Sequence, residues 1–582
     1  MKAGPGAVLA APRWWLHKPF VTGTISVTGG YRNGPKAPTL PGMTDISTGS
    51  STAVQGNPVA TPGARSVADA VPPQLVARLV SAVVAGDRPT LATSRCPFTG
   101  EVLAEIPESS PADVATAFVR ARAAQRDWVK RPVRERAAVL LRFHDLVLKH
   151  RDELLDLVQA ETGKTRAHAF EEVLASAIEA RHYGRAGAGY LKPRRRGGVF
   201  PVLTQVLELR QPKGVIGQIS PWNYPLALFT GDAVPAFVAG NAVVTKPDTQ
   251  TALTALRARE LMVEAGLPAE LWQIVIGDGP VVGPEVVAHA DYVSFTGSTR
   301  TGRDVAQRAA ARLIGASMEL GGKNAMLVLA DADLDKAAEG AVRACFSSAG
   351  QLCISIERLY VASSVADAFL EKFVARTKAL KLGNSLAWGA DMGSLVSQRQ
   401  LDTVTRHLED AVKNGATVLA GGKPRPDIGP LFFEPTILDD VTTESAVCNE
   451  ETFGPVVSVY RFDDEDEAVA RANGTSYGLN SSVWSKNLRH AKAVAARLHT
   501  GTVNVNEGYA PAYASVAAPM GGMGDSGIGR RHGSEGILKY TEVQTVAVQR
   551  VIQMTPSFGL DDEGYAKLLG KSLAMLKALR FK

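Results

Sequence analysis

Between residues 214 and 329 the chain alternates short apolar runs with longer amphipathic stretches, and this alternation limits the fold more than any other feature. Residues 214–219 (GVIGQI), 242–245 (AVVT), 272–276 (WQIVI), 292–295 (YVSF) and 325–329 (AMLVL) have the length and apolar continuity of strands buried on both faces. Residues 251–265 and 301–313 read as helices, the first stopped by Gly266 and Pro268. Strands alternating with helices predict a parallel sheet covered on both faces, with a ligand where loops leave the carboxyl ends of the strands. The pattern resumes after Cys353, with strands at 359–361, 416–419 and 501–506 and helices at 366–380, 399–414 and 464–472. A chain of 582 residues is too long for one ordinary core, so two or more domains are expected.

The two ends differ from this body. Residues 1–66 are rich in Gly, Pro, Ser and Thr and carry one acidic residue, Asp45, so they are expected to be a disordered extension. Residues 112–128 and 134–150 are amphipathic helices, and a third runs through 153–160 to a stop at Gly163. The cluster Arg194–Arg196 reads as a solvated turn. Residues 204–210 and 541–548 both alternate in strand fashion and can pair with each other. Residues 565–582 can place Tyr565, Leu568, Leu569, Leu576 and Leu579 on one helical face, which suits packing on a neighbouring subunit better than lying on a membrane.

Composition excludes several classes of function. Lys+Arg 64 against Asp+Glu 58 gives a net charge of only +6, not gathered into one patch, so nucleic-acid binding has no support. Cys96, Cys345, Cys353 and Cys448 show no CxxC spacing, which argues for a reducing, cytoplasmic compartment and against a metal site. No uninterrupted apolar run is long enough to span a bilayer.

Chemistry concentrates between Met318 and Cys353, a stretch that opens MELGGKN, reads as a helix over 337–348 and closes on GQLC. Glu319 and Cys353 can form a base-and-nucleophile pair if the fold brings them together, and Gly321 and Gly322 allow a tight backbone path beside the carboxylate. On its own Cys353 is as well read as a small buried hydrophobe. Upstream, PWNYP holds Asn223 between two prolines, and a side-chain amide stiffened in this way is a good oxyanion donor. TKPD places Lys246 directly after a strand, where a cation can hold ribose hydroxyls or a phosphate. FTGSTRTG (295–302) joins a strand to a helix, so Gly297 and Ser298 stand where a helix N-terminus favours a phosphate.

Singly these motifs are weak, but their order is specific. The succession PWN, KPD, FTGSxxxG, MELGGK, GQLC and EETFGP, with ETGKT before it and GGMGDSGIGR after it, resembles the aldehyde dehydrogenase superfamily over about residues 70–550. The resemblance implies an α/β fold of two Rossmann-like three-layer lobes plus a small β flap used in oligomerisation. Residues 67–193 and 212–320 would form the cofactor-binding domain, 321–536 the catalytic domain, 194–211 and 537–550 the flap, and 551–582 a C-terminal extension. It implies Cys353 as nucleophile, Glu319 as general base, and an oxyanion hole from Asn223 and the Cys353 backbone N–H. By the same match Trp222, Asn223, Lys246, Pro247, Asp248, Thr249, Gly297, Ser298, Leu320, Glu451 and Phe453 surround the cofactor, with Glu451 on a ribose and Phe453 near the nicotinamide.

Two specificities follow from that match. NAD-preferring relatives often carry a glutamate three residues after the lysine, and here that residue is Thr249, so NADP is expected to be preferred, with NAD possible. Phrases such as ISPWNYP and RACFSSAGQLCISIER resemble the NADP-type succinate-semialdehyde dehydrogenases of actinobacteria. Better-studied enzymes acting on that substrate carry two carboxylate-binding arginines where this chain has Gly231 and Ser347, whereas Ser515 matches their carboxylate-binding serine. The expected substrate is therefore a small aldehyde, succinate semialdehyde before a broad aliphatic or aromatic range, in a homodimer or homotetramer. A catalytically idle structural relative would have lost the Cys, Glu or Asn, and all three are present.

Overall fold

The computed structural model describes residues 65–199, 204–550, 555–557 and 559–580. The extension expected over residues 1–66 lies outside these, except for Arg65 and Ser66. Those two belong to the folded body: Ser66 caps the helix Val67–Ala70, and Arg65 Nη1 donates to Asp156 Oδ2 at 3.0 Å.

Two mainly parallel sheets carry the chain. The first has six strands in the order Gly527–Ile528, Gly315–Glu319, Tyr292–Thr296, Val215–Ile219, Ala242–Lys246, Trp272–Ile274, all parallel except the first. The order reverses between Tyr292–Thr296 and Val215–Ile219, which opens a crevice at their carboxyl ends. The second sheet has seven strands in the order Thr417–Ala420, Thr436–Asp439, Val456–Phe462, Ile356–Ala362, Asn324–Val328, Asn480–Trp484, Thr502–Val505. Its only antiparallel pairing is at the edge strand Thr417–Ala420, and its central strands are buried along their whole length.

A third sheet joins distant segments. Thr541–Gln549 pairs antiparallel with Thr204–Pro212 through nine residue pairs, as their alternation predicts. The arginines at 194–196 are not a turn but the strand Arg194–Arg196, added to the edge of Thr204–Pro212, where Glu208 accepts from both Arg196 and Arg210. Opposite charges paired across strands make an exposed all-arginine strand tolerable.

Two further expectations change. The segment 321–536 is not confined to one lobe, because Gly527–Ile528 pairs with Gly315–Glu319 and so returns to the first sheet. The helix expected over 337–348 is Leu334–Phe346, and the chain then tightens into a 3-10 turn, Ser347–Gly350, with Ser348 and Ala349 at φ 51° and 55°. The break lifts the next residues off the helix axis and sets up the Cys353 loop.

Candidate active site

The carboxyl ends of four strands, at Ile219, Lys246, Thr296 and Glu319, open into one cleft of about 870 Å³. Trp222, Asn223, Asp248, Gly297, Ser298, Leu320, Glu451 and Phe453 also line it. Of the residues the family match placed around the cofactor, Pro247 and Thr249 are not in its wall. Thr249 begins the 3-10 turn Thr249–Thr251, with its hydroxyl turned to Gly277 O at 3.5 Å. The two lobes face each other across the cleft, Trp222 meeting Phe453 edge-on with ring centroids 5.5 Å apart.

The cleft fits a dinucleotide. Lys246 is only 7 % exposed, yet among the described residues its ammonium has no ion pair and one long contact, to Pro247 O at 3.4 Å. Burial lowers its pKa, while Asp248, Asp278 and Glu108 act to raise it. A buried ammonium with donors to spare calls for oxygen ligands from outside the chain. Ser220 Oγ, also in the wall, is likewise buried without a partner. The helix Thr299–Ala311 begins at the cleft with Ser298 as its N-cap, which favours a phosphate there. Glu451 accepts from Gly322 N–H at 2.8 Å, and burial, with Glu357 nearby, raises its pKa to about 8.

Beyond the cleft lies a much smaller chamber. Asn223, Leu228, Thr296, Glu319, Leu320 and Cys353 line both cavities, so the thiol and the carboxylate stand where the two meet. The rest of the chamber is lined by apolar groups, Tyr224, Leu352, Ile354 and Met520, and by the polar groups Glu179, Arg531 and His532.

Asn223, Cys353 and the EETFGP loop are each held by residues to which the sequence alone assigned no role. Asn223 donates through Nδ2 to Gln351 O at 3.1 Å, which ties it to the Cys353 loop and leaves one amide N–H for a ligand. Its backbone carbonyl accepts from Lys164 Nζ at 2.6 Å, and the same ammonium pairs with Glu172 at 2.6 Å and lies 3.7 Å from the Tyr224 ring centroid. Glu172 also accepts from the backbone of Leu226 and Ala227, so one buried ion pair pins the whole PWNYP turn. Asn324 donates to Cys353 O at 2.8 Å and Ser355 O at 2.7 Å, fixing the carbonyl side of the cysteine. Glu357 accepts from Thr452 and Phe453 N–H and pairs with Lys323 at 2.5 Å, which holds the EETFGP loop. Gly350, at φ 70°, is required by contact as well as conformation, because a Cβ there would stand 2.0 Å from Gly454 O.

The electrostatics separate the two reacting groups. Burial raises the Glu319 pKa to about 7, while Arg531 and Lys539 act to lower it; its Oε1 is buried and has no partner. Burial pushes the Cys353 thiol up to about 12, with Glu319 and Glu451 adding to the rise. The resting thiol is therefore protonated, with a carboxylate that titrates near neutrality in the same chamber wall. Ser515 is not part of this wall. It is exposed at the end of the short helix Ala510–Ala514, and that turn sends Tyr513 into the chamber instead. Among the described residues there is no cluster able to hold a metal ion, and no helix is long and apolar enough to cross a membrane.

Comparison with known proteins agrees with this geometry. The family model described as the aldehyde dehydrogenase family matches residues 84–546. A Mycobacterium ulcerans protein, provisionally named succinate-semialdehyde dehydrogenase (NADP+) 2, is 54 % identical over 472 residues, which are 81 % of this chain and 91 % of that one. Glutarate-semialdehyde dehydrogenase of Pseudomonas putida is 38 % identical over 462 residues, 78 % and 93 % of the two chains. Among solved structures, an NADP-dependent enzyme of E. coli superposes with a TM-score of 0.76 at 35 % identity, covering 79 % of this chain and 95 % of that one.

Proposed function

Because the chain belongs to the aldehyde dehydrogenase family, we propose that it oxidises succinate semialdehyde to succinate with NADP, using Cys353 as nucleophile. The observation that carries this reading is the shared wall: Cys353, Glu319 and Asn223 stand where a dinucleotide-sized cleft meets a small chamber. The names of the relatives support the substrate class, since both end in a semialdehyde dehydrogenase.

In this mechanism Cys353 gives up its proton to solvent as its sulfur bonds to the aldehyde carbon. The former carbonyl oxygen becomes an oxyanion facing the free N–H of Asn223 and the backbone N–H of Cys353. Removing one such donor costs about 3 kcal/mol in the transition state. The dinucleotide supplies the acceptor for the hydride lost from that carbon, which leaves a thioester on Cys353. Glu319 then takes a proton from water as the water oxygen attacks the thioester, and the acid leaves with the thiol restored. Lys164 and Asn324 contribute by holding the two loops in register, which keeps the donor and the nucleophile aimed at one point.

The cofactor preference rests on the NADP in the name of the Mycobacterium ulcerans relative, since Thr249 carries no carboxylate and turns its hydroxyl to Gly277 O instead of into the cleft. With purified enzyme, kcat/KM for NADP is expected to exceed that for NAD by about tenfold or more. A clear preference for NAD would remove the inference. Comparing kcat/KM for succinate semialdehyde, hexanal and benzaldehyde tests the substrate. The reading requires succinate semialdehyde to lead, and the Tyr224, Leu228 and Met520 lining of the chamber favours the broad-range alternative if it does not. In the same proposal the three-stranded sheet around Thr541–Gln549, with Val543, Val546 and Val548 exposed, is where subunits of a cytoplasmic homodimer or homotetramer meet.

A further inference from the structure

A substrate with a carboxylate at its far end needs a cation in the chamber, and neither Gly231 nor Ser347 supplies one. At Gly231 the space is taken by Glu179, whose Oε2 would lie 2.9 Å from a Cβ at that position. Ser347 is committed to its own surroundings, donating to Arg343 O at 2.7 Å and accepting from Tyr509 OH at 3.0 Å.

The chamber does hold one guanidinium, contributed from the far end of the sequence. Arg531 lines it beside Cys353 and Glu319 with 9 % of its side chain exposed. Both of its hydrogen bonds leave from Nη2, to Asp232 Oδ2 at 2.6 Å and to Thr296 Oγ1, while buried Nε has no acceptor among the described residues. Buried arginines that only brace this fold look different. Arg358 places Nε, Nη1 and Nη2 on the carbonyls of Lys323, Arg471 and Ala472 and on Tyr360 OH, and Arg136 uses both Nε and Nη1 on carbonyls. Leaving guanidinium donors unused in a buried site costs stability unless something else fills them.

Charge in the cluster points the same way. Asp232 takes Arg531 and Lys539 together, with Lys539 Nζ at 3.0 Å, and accepts from Tyr540 OH at 2.9 Å, so one carboxylate faces two cations. These contacts hold Asp232 ionised, well below the usual carboxylate range. Burial raises the Glu179 pKa to about 8, so near neutrality the second positive charge is offset only by Glu319 as it ionises near pH 7. His532, next in the chain, also lines the chamber; burial and the Arg531 charge lower its pKa to about 3, so its buried and unpartnered Nδ1 belongs to a neutral ring that can hydrogen-bond without adding charge.

We propose that Arg531, with His532 beside it, anchors the distal carboxylate of the substrate, in place of the arginines this chain lacks at 231 and 347. The inference rests on the substrate proposed above and assigns its recognition to a residue in the GGMGDSGIGRRH segment. Arg531 is then a specificity determinant, acting on how tightly a carboxylate-bearing aldehyde is held.

The test compares kcat/KM for succinate semialdehyde with that for butanal, which has the same carbon count and no carboxylate, in the wild type and in Arg531→Gln and Arg531→Lys, at saturating cofactor. The ratio is expected to fall about 30-fold or more in Arg531→Gln, carried mainly by KM, because a charge-assisted contact is lost. It is expected to fall by a smaller factor in Arg531→Lys, which keeps a cation against Asp232 and loses the planar fork. An unchanged ratio in both variants overturns the proposal, and so does an equal loss of kcat on both substrates, which would make Arg531 a support for Glu319. If Arg531→Gln does not fold, the ratio in Arg531→Lys decides alone. A wild-type ratio near one overturns the substrate reading itself, which separates the two failures.

Discussion

Replacing Cys353 with alanine is expected to lower kcat/KM for aldehyde oxidation by at least about ten-thousand-fold, or about 5.5 kcal/mol of transition-state stabilisation. The effect is this large because no other side chain in the chamber wall can take over. The second cysteine nearby in sequence, Cys345, is fully buried in the helix Leu334–Phe346. The fold should survive the change, since Cys353 is only partly buried and its anchoring bonds run through its backbone carbonyl to Asn324. Retained cofactor binding, measured by fluorescence, together with lost turnover gives the result its meaning. Activity within tenfold of the wild type would remove the proposed mechanism.

The second large effect separates the two halves of the reaction. Glu319→Gln is expected to lower steady-state kcat by about a hundred- to ten-thousand-fold, the range for loss of a general base. In rapid mixing the same variant should still release a burst of reduced cofactor close to one per active site, because its main defect lies in releasing the acyl group. The pH profile supplies an independent check. With the carboxyl pKa raised by burial to about 7, the basic form is present above that value and is lost as pH falls through it. Wild-type kcat should therefore drop about tenfold per pH unit on the acid side of neutrality, and Glu319→Gln should lose that limb. A variant without a burst would mean that Glu319 acts before the thioester forms, and an unchanged pH profile would mean that another group is the base.

Much of the architecture was legible because it depends on local periodicity. The runs at 215–219, 242–246, 292–296 and 324–328 are strands because they are continuously apolar and bounded by turn residues, and their alternation with helices fixed the sheet as parallel. The pairing of Thr541–Gln549 with Thr204–Pro212 could be expected because both segments alternate. Helix Ala227–Ala239 escaped the reading for the opposite reason: every residue in it is buried, so it has no polar face to set a 3.6-residue period. Gly279–His289 was hidden by Pro284 within it.

The site divides in the same way. Cys353, Glu319 and Asn223 announce themselves by residue type and neighbours. The groups that aim them do not, because Lys164 meets Asn223 across 59 residues and Arg531 reaches Asp232 across 299. No spacing rule reports such contacts. Lys164 sits within ETGKT, and that motif was the one available signal for it, whereas Arg531 follows a glycine-rich loop that reads as a turn. Ser515 shows the converse error, a residue matched by position in a loop whose local turn exposes it and sends Tyr513 inward.

The most direct measurement is mass spectrometry of the Glu319→Gln protein, quenched in acid after mixing with succinate semialdehyde and NADP. The account requires the peptide containing Cys353 to carry one succinyl group in a bond labile to hydroxylamine, with Cys96, Cys345 and Cys448 unmodified. An unmodified Cys353 peptide after a full burst of reduced cofactor, or the acyl group on another side chain, would contradict it.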